Sequence, residues 1–370
     1  MALQRFSLRR LLADITECID GPLLAVALAL AAIGLVTLYS ASHDVPSRVA
    51  IQAANFMLAL GLMWVAARTA PQTLMRLALP VYMLGLLLLV AVALGGDVVN
   101  GARRWLHVGP VRIQPSEIMK IAMPLLLAWH FHRREATLRL HDFALAGVLL
   151  ALPVLLIARQ PDLGTALLVA LAGFYVIFFA GIGWKVLAVL AILVLASLPP
   201  LWGLMHEYQR ERILTLLDPN LDPLGAGYHI IQSTIAVGSG GITGKGWLHG
   251  TQSHLEFIPE RHTDFIFAVF SEEFGLVGNC VLIALYALLI ARGLLIAAKA
   301  PTVFTRLLAG SITLVNFTYA FVNMGMVAGI LPVVGVPLPF VSYGGSALAT
   351  LFIGIGILMS IHRGRALVQT

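Results

Sequence analysis

Charge is scarce in this sequence. Of 370 residues, 11% are Asp, Glu, Lys or Arg and 59% are hydrophobic, whereas soluble domains average about 25% and about 45–50%. That shortage excludes a cytosolic globular enzyme and a disordered scaffold. Cysteine is scarcer still. The two residues, Cys18 and Cys280, leave little room for a disulfide framework or a cysteine-based metal centre, and both read as structural thiols. Alternation is missing as well: runs such as Val81–Leu94 do not alternate, which excludes a transmembrane β-barrel. No Walker loop, zincin motif or nucleophile elbow is present, so an ATP-driven mechanism has no residues to support it. No cleavable signal peptide is evident. The first apolar block is about 20 residues long, beyond a usual signal h-region, and reads as a retained anchor.

The apolar residues that replace all this come in long blocks, with a mean hydropathy of +0.91. They predict an all-α, polytopic membrane protein. About ten spans are expected, near 22–40, 49–67, 74–94, 115–131, 143–158, 163–180, 185–203, 265–291, 303–328 and 345–361. The whole chain, 1–370, reads as one membrane domain. With the N-terminus inside, 14 of the 24 Lys and Arg fall on the cytoplasmic side and 9 outside, with Lys120 within the fourth span. This favours both termini inside. The net charge of +6 is thereby a matter of loop positives, with no nucleic-acid partner implied.

The outer side nevertheless holds an unexpected set of positives, and its long segments are conspicuous: about 95–114, the large extracytoplasmic loop 204–264 between the seventh and eighth spans, and 329–344. Long loops in a compact fold are usually functional, and the aromatic content of 204–264 suggests short interfacial helices.

Ionisable residues at span borders are informative because a charge near lipid needs a partner or water. Three groups qualify. Arg103, Arg104 and Trp105 precede Arg112, Glu117 and Lys120. Pro115-Ser116 makes a helix start that puts Glu117 and Lys120 on one face, as an ion pair or as a polar pocket wall. Asp162 lies between the fifth and sixth spans as an N-cap candidate that is also free to join a site. Glu260, Arg261, His262 and Asp264 crowd the start of the eighth span, where Asp264 too is placed to cap a helix. Glu272 and Glu273, deeper in that span, must face a cavity or partners. All three groups fall on the same outer side, an arrangement suited to a phosphate-bearing substrate with a hydroxyl to activate.

Six motifs in order complete the picture: Gly101-Ala-Arg-Arg-Trp105-Leu, Gln114-Pro-Ser-Glu117, Gln160-Pro-Asp162-Leu-Gly-Thr165, Asp222-Pro-Leu-Gly-Ala-Gly-Tyr228, Phe257-Ile-Pro-Glu-Arg-His-Thr-Asp264-Phe, and Pro337-Leu-Pro-Phe-Val-Ser-Tyr-Gly-Gly-Ser346. Together they resemble the SEDS family (shape, elongation, division and sporulation) along nearly the whole chain, with Pro259–His262 resembling its elongation branch. The resemblance implies a ten-span peptidoglycan glycosyltransferase of the bacterial inner membrane. Such an enzyme polymerises lipid II into undecaprenyl-pyrophosphate-linked glycan on the periplasmic face, beside a class B penicillin-binding protein. The family's essential aspartate maps onto Asp264, the proposed general base. Other important positions map onto Trp105, Arg112, Glu117, Lys120 and Asp162. Arg103, Arg104, Arg112, Lys120, Lys245 and Arg261 form a pool from which pyrophosphate ligands are expected. A divalent cation, Mg2+ or Mn2+, is also implied, with Glu117 and Asp264 as candidate ligands. The rival expectation is a lipid-linked precursor flippase, supported mainly by Glu272 and Glu273.

Overall fold

The structure, a computed structural model, describes residues 18–366 except 43–44, 100–101, 109–110, 206, 223–224, 256 and 259. The N-terminal arginines of the topology argument (Arg5, Arg9, Arg10) lie outside the described residues, as do motif residues Gly101, Pro223, Leu224 and Pro259.

The chain forms α1 (Gly21–Ala41), α2 (Ser47–Arg68), α3 (Pro71–Gly95), a sheet of β1 (Asp97–Val99), β2 (Ala102–Val108) and β3 (Val111–Ile113), then α4 (Pro115–Arg133), α5 (Leu140–Arg159), α6 (Leu163–Phe179) and α7 (Trp184–Leu204). After these come α8 (Glu207–Leu217), α9 (Ala226–Ser239), α10 (Thr251–His254), α11 (Ile266–Ala298), α12 (Val303–Val327) and α13 (Gly345–Ala366). Seven helices, α1, α2, α3, α5, α11, α12 and α13, are long and apolar enough to cross a membrane. The other expected spans are helices as well. However, α4 carries Glu117, Lys120 and Arg133 in 19 residues, α6 has 17 residues, and the apolar part of α7 stops at Pro200.

Helix starts follow local chemistry. Asp20 accepts a hydrogen bond from the Leu23 amide at 3.0 Å and caps α1, while Pro71 and Pro115 open α3 and α4, where a missing amide proton costs nothing. α12 is the central helix, packed against α11, α6 and α4, with 78% of its most apolar window buried. Its small and polar positions permit close approach, as where the Ser311 hydroxyl donates to the Ala172 carbonyl at 2.7 Å. By contrast, none of the described side chains of α7 is buried, which leaves this apolar helix uncovered by the rest of the bundle.

Two features depart from the sequence reading. The all-α expectation misses the antiparallel sheet of 97–113, ordered β1-β2-β3. And α11 runs past the expected end near 291 to Ala298, interrupted at Gly275, whose φ of 62° no ordinary residue adopts easily. The loop after α9 splints the interruption. Lys245 and Gly246 amides donate to the carbonyls of Glu272 and Glu273, each at 3.0 Å, and the amides of Leu276 and Val277 donate to Gly241 and Ile242 at 2.9 and 3.0 Å. The backbone groups orphaned by the break are satisfied by that loop.

Candidate active site

The hairpin places the first residues. Trp105 pairs with Asp97, Arg103 with Val98, and His107 with Arg112. Successive strand residues point to opposite faces, so Arg103 and Arg104 cannot both enter one cluster. Arg104 enters: its Nη1 lies 3.9 Å from Asp162 Oδ2. Arg103 and Arg112 are exposed, and Trp105 is half-buried.

Asp162 is buried and does two things. Its Oδ1 accepts the Thr165 amide at 3.1 Å, capping α6 as the sequence predicts. Its Oδ2 accepts from the Gln114 side-chain amide at 3.1 Å and faces Arg104. One turn along α4, Lys120 donates to Glu117 at 2.6 Å and also reaches the Tyr319 hydroxyl on α12. Both charges are buried. The pair is therefore a structural tie between α4 and α12 at the cluster's edge, and Asp162 is near enough for its charge to act on Tyr319.

Asp264 precedes α11 without capping it. The cap position is Phe265, with no side-chain hydrogen bond, so the expected capping role is corrected: the helix begins two residues further on. A belt from 334 to 344 positions Asp264 instead. The Asn323 amide donates to the carbonyls of Asp264 and Val336 at 2.8 and 2.7 Å. The Ser342 hydroxyl donates to the Thr263 carbonyl at 2.7 Å, and the Tyr343 amide to His262 at 2.9 Å. Gly335 lies against the carboxylate, with Oδ2 3.4 Å from where a Cβ would stand. The same belt touches the Asp162 motif, since a Cβ on Gly164 would collide with the Val334 carbonyl. One strap thus fixes both aspartates.

Among the described residues, no hydrogen bond or ion pair occupies the Asp264 carboxylate. Desolvation, and then the Glu260 charge, push its pKa up to about 6, against opposing pulls from Arg104 and Arg212. It is a half-buried carboxylate with an open coordination and a pKa near neutrality, as general-base work requires. His229 stacks on Phe265 at a centroid distance of 5.7 Å, and burial lowers its pKa, with Glu260 opposing.

Lys245 and Arg261 do not join the cluster as expected. Lys245 donates to Glu272 at 2.7 Å, and that buried carboxylate also accepts from Thr251 and the Gln252 amide. Glu273 accepts from Ser40. Arg261 is buried with Nε on the Ala41 carbonyl at 2.7 Å. These contacts hold the loops that precede α11 to α1 and α11. The sequence reading missed Gln114 as a partner of Asp162, and also Tyr319, Asn323 and Gly335. Asn323 carried a signal, being an amide inside an apolar helix, which needs a partner.

A divalent cation finds no preformed cage. Among the described residues, no three His, Cys, Asp or Glu side chains converge, and Glu117 and Asp162 already hold a cation or an amide. Mg2+ does bind through one or two carboxylates plus substrate phosphates. Asp264, with hard and unoccupied oxygens, fits only as such a single ligand.

Membrane-length helices gathered around a polar cluster at one end define a polytopic membrane protein with a candidate site at that end. The chain belongs to the SEDS family: the FtsW/RodA/SpoVE family model, described as cell cycle protein, matches residues 22–367. It is 53% identical over 352 residues to the peptidoglycan glycosyltransferase MrdB of Escherichia coli K12, covering 95% of each chain. It is 34% identical to the peptidoglycan glycosyltransferase RodA of Treponema pallidum, over 75% of this chain and 81% of that one. Its fold matches the rod shape determining protein RodA of Thermus thermophilus, with a TM-score of 0.72 and 33% identity, over 94% of this chain and 97% of that one. It also matches a chain from a study of how a peptidoglycan synthase complex coordinates polymerization and crosslinking, with a TM-score of 0.81 and 37% identity, over 94% and 98%.

Proposed function

We infer that this chain is an elongation-type peptidoglycan glycosyltransferase, polymerising lipid II into glycan strands. The observation that carries this reading is the identity of 53% over 95% of the chain with a curated peptidoglycan glycosyltransferase. The site's chemistry agrees: a carboxylate free to act as base stands beside a cation at the membrane boundary.

The donor is glycan linked through an α-pyrophosphate to undecaprenol, and the acceptor is the 4-hydroxyl of a lipid II sugar. Asp264 takes the hydroxyl proton as the oxygen attacks the anomeric carbon. The bond to pyrophosphate breaks, and the β-linkage forms with inversion in one displacement. Arg104 is the basic residue placed to stabilise the pyrophosphate as charge develops on it, and Arg103, Arg112 and Trp105 line the approach from the exposed hairpin. Glu117, Lys120 and Asp162 form the wall behind. Asp264 is the residue that would hold a divalent cation, which would supply charge neutralisation at the leaving group.

The orientation follows the loop charges. Ten helices cross the bacterial inner membrane, both termini are cytoplasmic, and the site with its large loop, 204–264, is periplasmic. The described residues form no domain for crosslinking, and the partner is a class B penicillin-binding protein. A flippase loses its main support, because Glu272 and Glu273 are both engaged by loop and helix partners. The deciding experiment is purified protein with labelled lipid II in detergent, read on a gel. Glycan polymer formed without any bilayer to cross supports the enzyme, and unreacted lipid II from folded protein refutes it.

A further inference from the structure

A cavity of about 570 Å3 opens at the end of the bundle opposite the charged cluster. α4 and α12 give the direction. α4 carries Glu117 near one end and His132 at the other, while α12 carries Phe304 near its start and Asn323 near its finish. His132 and Phe304 line the cavity, together with Arg68, Met75, Ser360 and Arg363. It therefore lies about one membrane thickness from Asp264, since 19 residues of helix span about 28 Å.

Its lining has two characters. Arg363 Nε is shielded from solvent and has no hydrogen-bond partner. A buried charged donor left unmade is costly, so this nitrogen calls for an acceptor that the described residues do not provide. Arg68 brings a second guanidinium, its Cζ 4.2 Å over the Trp64 ring. Glu135 lies 3.4 Å from His132 Nδ1. The remaining wall is apolar, with Met75, Pro71 and Phe304. An occupant must be anionic at one end and apolar at the other. The volume is also several times that of a free phosphate ion. Basic pockets between helix ends at this level of a bilayer suit anionic lipid headgroups.

We propose that this cavity binds an anionic phospholipid from the leaflet opposite the reaction site, its phosphate on Arg363 and Arg68 and the upper part of its chains against Met75 and Phe304. It is a binding site separate from the polymerising centre.

The test is native mass spectrometry of the full-length detergent-purified protein with equimolar phosphatidylglycerol and phosphatidylcholine. The unaltered protein retains phosphatidylglycerol in preference. Arg68→Gln with Arg363→Gln lowers that preference about tenfold, and Lys185→Gln, an exposed cation outside the cavity, leaves it unchanged. Met75→Trp keeps both guanidinium groups and fills the space, so it loses the lipid too, and it decides the matter where the double variant fails to fold. Equal retention in the double variant and in Met75→Trp overturns the proposal. So does an equal loss in Lys185→Gln, or complete displacement of phosphatidylglycerol by millimolar inorganic phosphate, which marks a free-phosphate site.

Discussion

The guanidinium of Arg104 stands 3.9 Å from the Asp162 carboxylate, and its charge also lowers the pKa of Asp264. One cation therefore serves two acids contributed by different motifs. The hairpin delivers it, the cap of α6 holds the first acid, and the 334–344 belt holds the second. Removing the cation affects the two aspartates differently, because Asp162 keeps its Gln114 and Thr165 donors while the Asp264 carboxylate has no donor among the described residues.

Asp264→Asn keeps size and, since the residue does not cap α11, costs little stability. It removes the base, so polymerisation falls about 10²-fold or more, with expression and insertion intact. Strand synthesis by the purified variant, measured beside its thermal unfolding, checks this. Near-normal synthesis would remove Asp264 from the mechanism.

The raised pKa of Asp264, about 6, fixes a pH profile. The base form is lost as pH falls through about 6, so activity has an acidic limb there, well above an ordinary carboxylate. Glu260→Gln removes a charge that raises the pKa and moves the limb to lower pH. Arg104→Gln removes one that lowers it and moves the limb to higher pH. Initial rates from pH 5 to 8 distinguish these directions.

Lys245 is a structural cation. Lys245→Met removes an exposed cation from a buried carboxylate that keeps its Thr251 and Gln252 donors, so the loss is that of one charged hydrogen bond, about 1.5–3 kcal/mol at most. A lower unfolding temperature is expected, partly recovered by Lys245→Met with Glu272→Gln. Arg103→Gln shows the reverse: unchanged stability and weaker lipid II use. A KM defect in Lys245→Met at full stability would contradict the assignment.

Gly164→Ala drives a methyl group into the Val334 carbonyl. Because the same belt touches Asp264 through Gly335, the variant loses rate at a position that touches no substrate, while Asp162 still caps α6. A kcat decrease of tenfold or more with little change in KM is the expected signature, and an unaltered kcat argues against the strap.

The helices were legible because twenty-residue apolar runs leave few alternatives. The Asp162 cap was legible because the donor it needs lies three residues ahead. Partners across the fold were not. Lys245 reads as a loop cation until Glu272, 27 residues on, is seen to accept from it. Asp264 reads as a cap because sequence marks a helix start only to within two or three residues. Arg103 and Arg104 read as equals because three short strands give little period-two signal.

The break at Gly275 also decides which part of α11 must answer to the bilayer. All 33 residues together would measure about 50 Å, against a hydrocarbon layer of about 30 Å. From Leu276 onward the remaining 23 residues measure about 34 Å and match that layer by themselves. The nine residues before Gly275, about 14 Å of helix, therefore reach beyond that layer with Glu272, Glu273 and the approach to Asp264, held to the rod by the loop at 241–246, which bonds to both sides of the break.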